Sequence, residues 1–142
     1  MLELDPMGDF VVHLAPDHSW RIPNGPLGAR STTQFREVVW TSDRLSARSV
    51  WGNGTYRAGP RVLEVEVRTM LRTTDDELIF FQYTGRAELA SHSAGETPVI
   101  SAGRVEAPEP GRYAWLNDTQ LVGKGMLDLS AGTQAYELYA LR

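Results

Sequence analysis

The sequence predicts an all-β protein of eight or nine short strands, built as either an antiparallel sandwich or a closed barrel. Residues 62–73 alternate strictly, so that Leu63 and Val65 share one side of a strand and charged residues share the other. Turn-forming glycine, proline, asparagine and aspartate recur at short intervals. Only residues 87–94 suit a helical turn, which predicts at most one short helix.

The predicted strands are runs of apolar and β-branched residues that end at turn signals. They comprise residues 10–14, 34–40, 45–51, 62–73, 78–83, 98–105, 112–120 and 134–141. The turns are predicted at residues 41–43, 52–54, 59–60, 74–76, 108–111 and 128–132. Residues 16–30 contain three prolines and read as a long loop, either a lid over one end of the fold or an ordinary surface loop anchored by Trp20.

The stretch 112–120 is predicted to be the strand around which the fold is organised. Alternation along an extended chain puts Tyr113, Trp115 and Asn117 on one face. Two aromatic rings and an amide on one face suit a wall that holds an amphipathic molecule.

Composition limits the classes of function. The 142 residues suit a single domain, residues 1–142, and the hydrophobic content of 42% supports one core. A net charge of −4 with a single lysine argues against nucleic acid as a partner, because phosphate contacts need clustered basic residues. No apolar run approaches the roughly 20 residues of a membrane span, so no membrane partner is predicted. The absence of cysteine and of a secretion signal predicts a cytoplasmic protein.

The sequence contains no motif for a metal or a cofactor. His13, His18 and His92 lack metal-ligand spacing, and there is no cysteine to supply a thiolate. Residues 52–54 are too short for a phosphate-binding loop and precede no predicted helix. No serine lies in a Gly-x-Ser-x-Gly turn. We therefore expect neither a metal nor a cofactor.

Three C-terminal segments carry a distinctive pattern: Arg112-Tyr-Ala-Trp-Leu-Asn117, Val122-Gly-Lys-Gly125 and Tyr136-Glu-Leu-Tyr139. They resemble the signature of domain-of-unknown-function family thirty-two thirty-seven. Residues 66–73 look like the central hairpin of that family, which commonly has aspartate where this chain has Glu66. The resemblance covers nearly the whole chain. It implies a closed antiparallel barrel of about eight to ten strands, similar to lipocalins and other calycins, with a cavity inside.

Glu66 and Arg68, together with Asn117, are the predicted catalytic residues. Glu66 and Arg68 share one face of their strand, and if that face lines a lumen, Glu66 is placed to act as a general base beside Arg68. The alternative is a solvent-facing stripe of ion pairs, each contributing at most about 1 kcal/mol. The rarity of buried charge favours the stripe, whereas the family resemblance leaves both interpretations open.

Four aromatic residues, Trp40, Tyr83, Tyr113 and Trp115, are predicted to line an apolar pocket with polar tips. Ordinary core packing is the alternative for each of them. Asn117 shares the predicted face of Trp115, and its amide needs hydrogen-bond partners if that face is buried. It either binds a ligand or ties down a neighbouring strand.

Five of these candidates are expected to point into one cavity, because a small barrel has a single interior: Glu66, Arg68, Tyr113, Trp115 and Asn117. One predicted function is a cofactor-independent isomerase, cyclase or lyase acting on a partly apolar carbonyl compound. Glu66 would move protons, and oxygens would be held by Arg68, Tyr83 and Asn117. The alternative is a non-catalytic carrier or sensor of a small apolar or amphipathic ligand. A third is a structural subunit that dimerises through the barrel exterior. A homodimer is expected because four tryptophans, five tyrosines and four phenylalanines leave apolar surface to spare.

Overall fold

The computed structural model describes residues 1–89 and 95–142, and it is a closed barrel in which every strand pairs antiparallel with its neighbours in sequence. The strands are β1 (Leu4–Gly25), β2 (Gly28–Thr41), β3 (Ser46–Ala58), β4 (Val62–Thr73), β5 (Leu78–Glu88), β6 (Glu96–Glu106), β7 (Gln120–Asp128) and β8 (Thr133–Leu141). Pairing of β1 with β8 closes the barrel. The predicted antiparallel barrel is therefore confirmed, and the sandwich is excluded.

The barrel has two different ends, because consecutive strands run in opposite directions. The open end carries the connections after β1, β3 and β7, at residues 26–27, 59–61 and 129–132. The closed end carries the connections after β2, β4 and β6, together with both chain termini. A 3₁₀ helix, Ala114–Asp118, lies in the connection after β6 and caps the closed end with Leu116, which is fully buried.

Alternation along each strand decides which side chains fill the lumen. In β4, Leu63, Val65 and Val67 are buried while Glu66 and Arg68 are exposed, as expected for a strand with one face on a core and one in water. The inward residues of the other strands continue the same core. This strict phase keeps every charge of β4 outside the barrel.

Aromatic rings pack the lumen on its closed side. The Phe10 ring lies 5.1 Å from Phe81 and 6.0 Å from Trp40 between ring centroids, both edge to face. Tyr83 and Tyr136 extend the cluster toward the open end, with centroids 5.3 Å apart. The Trp40 indole donates a hydrogen bond of 2.7 Å to the Met7 carbonyl, so its one polar atom is satisfied. Half of the lumen is thus solid core.

Glycines make room for these rings. A methyl group added at Gly125 of β7 would lie 2.4 Å from a ring carbon of Tyr136, its direct partner on β8. One added at Gly54 of β3 would lie 2.5 Å from the Tyr56 hydroxyl and 2.9 Å from the Phe35 ring. The absence of a side chain at these inward positions lets the tyrosines lie against the sheet.

Three local predictions differ from the structure, and a fourth falls mostly outside the described residues. The predicted loop 16–30 is wrong, because β1 and β2 continue as a hairpin through it, with the turn at residues 26–27. The predicted turn 52–54 is wrong, because β3 runs straight through its two glycines. The predicted strand 112–120 is a turn and the 3₁₀ helix up to residue 119. Of the predicted helical turn 87–94, residues 87 and 88 belong to β5, Leu89 is helical, and residues 90–94 lie outside the described residues.

Candidate functional site

A cavity of about 550 Å³ occupies the open end of the barrel. Its walls come from the ends of strands that the open-end connections bring together, and from the hairpin of β1 and β2 that extends past them. Leu63, Leu127 and Leu129 contribute apolar surface. The polar lining includes Ser19, Thr33 and Tyr56. We call this space the mouth cavity; its remaining described lining residues are Leu14, Pro16, Arg21, Ala29, Ser31, Thr32, Ala58, Leu89 and Gly132.

From Tyr56, which lines the mouth cavity, a chain of hydrogen bonds crosses the lumen beneath it. Gln134, fully buried on β8, donates from its amide nitrogen to the hydroxyl oxygen of Tyr56. The amide oxygen of Gln134 accepts a hydrogen bond of 2.9 Å from the Tyr136 hydroxyl. Both ends of the buried amide are therefore satisfied, and each tyrosine hydroxyl has a fixed partner.

This arrangement leaves the Tyr56 hydroxyl as a hydrogen-bond donor. Its oxygen already accepts a hydrogen bond from Gln134, so its own proton is left to donate. Burial, and then the neighbouring Tyr136, raise the pKa of Tyr56 well above its ordinary value. The phenol consequently stays protonated at neutral pH, and it can donate a hydrogen bond to an acceptor in the mouth cavity but cannot serve as a base there.

Tyr83 lies behind this chain of hydrogen bonds rather than on the cavity surface. Its side chain is buried, and within the described residues its hydroxyl has no hydrogen bond of ordinary geometry. Burial and the nearby Tyr136 hydroxyl raise the pKa of Tyr83. Trp40 lies deeper still, in the packed half of the lumen. Neither Trp40 nor Tyr83 is among the residues that line the mouth cavity, so a ligand-binding role for them stays a prediction.

The wall formed by the β1–β2 hairpin carries hydroxyl groups. Ser19 donates a hydrogen bond of 2.6 Å to the Thr33 hydroxyl, and Thr33 donates in turn to the Ala15 carbonyl at 3.3 Å. An irregular register between Leu14 and Ser19 bends β1 at this point. The bend brings both hydroxyls to the cavity. It also changes which of the later residues of β1 face the cavity.

Glu66 and Arg68 point away from the lumen, so the prediction that they share its cavity is wrong. Their side chains are 50% and 57% exposed and form an ion pair of 3.0 Å on the outer surface. Val65 and Val67 take the inward positions, because a buried unpaired charge would cost several kcal/mol. The solvent-facing stripe of ion pairs is the interpretation that fits this geometry. It removes the basis for a general base on β4.

Tyr113, Trp115 and Asn117 lie at the closed end, opposite the mouth cavity, so their predicted place in the shared cavity is also wrong. They do not share a face, because residues 114–118 are helical and not extended. The Arg44 guanidinium stacks on the Trp115 ring at 3.7 Å from its centroid. Asn117 hydrogen bonds to both backbone groups of Ala107, at 2.7 and 3.1 Å. Asn117 thus fastens the connection to β6, which is its alternative, structural role.

The Asp75 carboxylate holds the same connection to the β4–β5 turn. It accepts hydrogen bonds from the Tyr113 hydroxyl at 2.7 Å, the Thr73 hydroxyl at 2.7 Å and the Arg112 guanidinium at 2.9 Å. These donors, led by Tyr113 and Thr73, lower the pKa of Asp75 to about 2. The most distinctive sequence segment of the chain therefore builds the closed end of the barrel.

The residues that make the mouth cavity polar were not predicted from the sequence. Gln134 gave a usable signal, since it falls in phase with the apolar residues Tyr136 and Leu138 and so belongs to an inward face. Tyr56 gave none, because the glycines before it read as a turn. Arg21 gave none either, because the prolines around it made residues 16–30 read as a loop instead of a strand.

The described part of the chain also lacks two kinds of feature. Within it, no group of three or more histidine, aspartate or glutamate side chains could hold a metal ion. No helix in residues 1–89 and 95–142 has both the length and the apolar character needed to cross a membrane.

Comparison with known proteins agrees with this fold. A sequence model of the family described as "Protein of unknown function (DUF3237)" matches residues 2–141. A solved β-barrel-like protein from Acinetobacter baumannii AYE is 23% identical with a TM-score of 0.84, over 100% of this chain and 97% of that one. A conserved protein of unknown function from Rhodopseudomonas palustris has a TM-score of 0.88 at 15% identity, over 100% and 99%.

A third similar structure is that of an enzyme from Penicillium herquei, with a TM-score of 0.70 at 14% identity, over 100% of this chain and 94% of that one. No curated protein matches the sequence. At such identities the structural matches show a common fold and nothing finer.

Proposed function

Because the chain belongs to the DUF3237 family, whose description assigns no activity, we propose a function from the geometry of its own cavity. The protein binds a partly apolar small molecule at the open end of the barrel, with an oxygen acceptor of that molecule facing Tyr56. The observation that carries this proposal is the combination of leucine walls with one phenol whose proton is free to donate.

The mouth cavity has the size and surface expected of such a site. Its volume of about 550 Å³ falls within the range of small-molecule pockets, roughly 300–1,000 Å³. Leu63, Leu127 and Leu129 can shield an apolar body, which gains roughly 25 cal/mol for each Å² removed from water. A few oriented polar groups on apolar walls are the usual means of fixing a ligand's orientation.

A second candidate is a cofactor-independent isomerase, cyclase or lyase acting on a partly apolar carbonyl compound. Two observations favour it. The protonated Tyr56 hydroxyl suits hydrogen bonding to a carbonyl oxygen as that oxygen gains negative charge. One structure of the same fold is described as an enzyme. Among the described lining residues there is no carboxylate or histidine, so the site supplies a hydrogen-bond donor and no base.

The neutral fluorescent ketone 6-propionyl-2-dimethylaminonaphthalene tests the binding function, since its emission reports both burial and hydrogen bonding of its carbonyl. We expect saturable binding to the wild-type protein. Tyr56→Phe should weaken that binding about fivefold, the effect of one neutral hydrogen bond of about 1 kcal/mol, and should shift the emission to shorter wavelength.

Tyr139→Phe is the matched control. The Tyr139 hydroxyl donates to Glu137 on the outer surface, at 3.0 Å, and lies outside the cavity lining. Absence of saturable binding to the wild-type protein, or an equal loss in the two variants, would contradict the proposal. Turnover then separates the two candidates, because an enzyme converts a bound carbonyl compound at a rate that Tyr56→Phe lowers, while a carrier returns it unchanged.

A cytoplasmic location stays a prediction from the cysteine-free composition.

A further inference from the structure

We infer that the ligand of the mouth cavity carries an anionic group at its outer end and that Arg21 binds this group. The inference rests on the proposed function and adds to it the chemical class of the ligand. That class is an apolar molecule with an oxygen acceptor at its inner end and a carboxylate or similar anion at its outer end.

Arg21 is placed at the rim by the extended β1–β2 hairpin. It pairs with Ser31 in the part of the hairpin that follows the bend in β1, and both residues line the mouth cavity. The neighbours Trp20 and Ile22 do not line the cavity and are 57% and 60% exposed. Alternation along the strand therefore turns Arg21 toward the cavity and its neighbours away from it.

The charge of Arg21 is not compensated within the site. It is the one charged side chain among the described residues that line the mouth cavity. Across residues 1–89 and 95–142, no carboxylate lies within ion-pair distance of it, whereas Arg48, Arg57 and Arg68 on the outer surface each pair with a glutamate. A guanidinium beside an apolar cavity is well suited to bind a carboxylate through two parallel hydrogen bonds.

The charge of the whole protein does not produce this preference. The chain carries a net charge of −4, so its overall field repels anions. Of the acidic groups near the open end, the Asp128 carboxylate accepts hydrogen bonds from the Ser130 hydroxyl at 2.8 Å and the Ala131 amide at 3.0 Å. Selection of an anion here would be a local property of the rim.

Two dyes that differ by one anionic group test the inference. They are 8-anilinonaphthalene-1-sulfonate and N-phenyl-1-naphthylamine, which share a ring system and fluoresce when removed from water. The measured quantity is the ratio of their association constants for the same protein, which cancels changes in the apolar part of the site. We expect Arg21→Gln to lower the sulfonate-to-neutral ratio about fivefold at low salt, the size of a charge-assisted contact at a partly exposed position.

Arg30→Gln is the matched control. Arg30 lies on the same hairpin, opposite Ile22, and is absent from the lining of the mouth cavity. Arg30→Gln should leave the sulfonate-to-neutral ratio unchanged. Arg21→Lys should keep that ratio close to the wild-type value, because the positive charge remains. Added salt should reduce the wild-type ratio toward that of Arg21→Gln, since a rim contact is screened.

The outcomes separate this inference from the function beneath it. If the wild-type protein binds the neutral dye but Arg21→Gln leaves the ratio unchanged, the anion inference is overturned and the cavity still binds apolar molecules. An equal effect of Arg30→Gln and Arg21→Gln would also overturn it, because it would show a general surface charge. If the fluorescent ketone does not bind the wild-type protein, the proposed function fails and the inference fails with it.

Discussion

Gln134 on β8 donates a hydrogen bond to the hydroxyl of Tyr56 on β3, two strands that are not neighbours in the sheet. The contact therefore crosses the lumen instead of following the wall. It lies at the boundary between the packed half of the barrel and the mouth cavity. The Gln134 amide thus satisfies polar groups at the edge of the core and also orients the phenol that lines the mouth cavity.

Gln134→Met should lower the free energy of unfolding by about 2–3 kcal/mol. The substitution leaves the Tyr56 and Tyr136 hydroxyls without their shared partner, and each unsatisfied buried group costs about 1–3 kcal/mol. Urea unfolding measures the change. Gln34→Met on the exposed face of β2 is the control and should change stability by less than about 0.5 kcal/mol. Equal effects would contradict the role given to Gln134.

Asp75 should govern stability in acid. Hydrogen bonds, first from Tyr113, lower its pKa from 3.8 to about 2 in the folded protein. A lowered folded pKa means that the ionised form stabilises the fold. The contribution is complete above pH 3.8 and is lost as the pH falls toward about 2.

Asp75→Asn should therefore have a lower melting temperature at neutral pH and a shallower decline over that acid interval. Asp76→Asn is its control, because Asp76 lies in the same turn and forms a more exposed ion pair with Arg72. Scanning calorimetry across the interval compares the slopes. A wild-type slope in Asp75→Asn would show that another carboxylate is responsible.

Gly125→Ala should destabilise the barrel by about 1–3 kcal/mol, the usual cost of overpacking. The added methyl group would overlap the Tyr136 ring and the Ala135 carbonyl oxygen, at 2.4 and 2.5 Å. Gly59→Ala is the comparison, since its nearest atom would be the Val62 carbonyl oxygen at 3.6 Å, an ordinary contact. Chemical denaturation should give Gly125→Ala a clearly lower free energy of unfolding than Gly59→Ala. The reverse order would be evidence against tight packing at Gly125.

Asn117→Ala should lower stability by about 1 kcal/mol and leave ligand affinity unchanged. Its hydrogen bonds fasten the connection at the closed end, whereas the mouth cavity lies at the other end. Parallel thermal unfolding and ketone-dye titrations test this, with Asp118→Ala at the neighbouring exposed position as the control. A variant with normal stability and no binding would restore a functional role for Asn117.

The homodimer stays a prediction. Trp20, Ile22 and Leu27 on the β1–β2 hairpin are 57%, 60% and 66% exposed and offer apolar surface for such contact. Light scattering at micromolar concentration should give twice the chain mass of 15.8 kDa. Trp20→Ser should shift the protein toward the monomer, and a wild-type mass of 15.8 kDa would contradict the prediction.

The sequence by itself determined most of the strands and the antiparallel all-β class of this protein, whereas closure into a barrel was implied only by the family resemblance. Period-2 alternation over residues 62–73 and the turn at residues 74–76 are local properties, because they depend on side chains a few positions apart. The sequence was misleading where glycine and proline serve packing instead of turning. Gly54 lies within β3 to make room for rings, and Pro16 lies within a strand that bends.

Only the tertiary structure decided which residues meet. Alternation shows that the two faces of β4 differ, but closure of the barrel is what assigns Val65 to the lumen and Glu66 to water. The same closure brings Tyr56 and Gln134, 78 residues apart in sequence, into one hydrogen bond. No local pattern encodes that contact, since it depends on the number of strands, their register and the space that glycines leave between them.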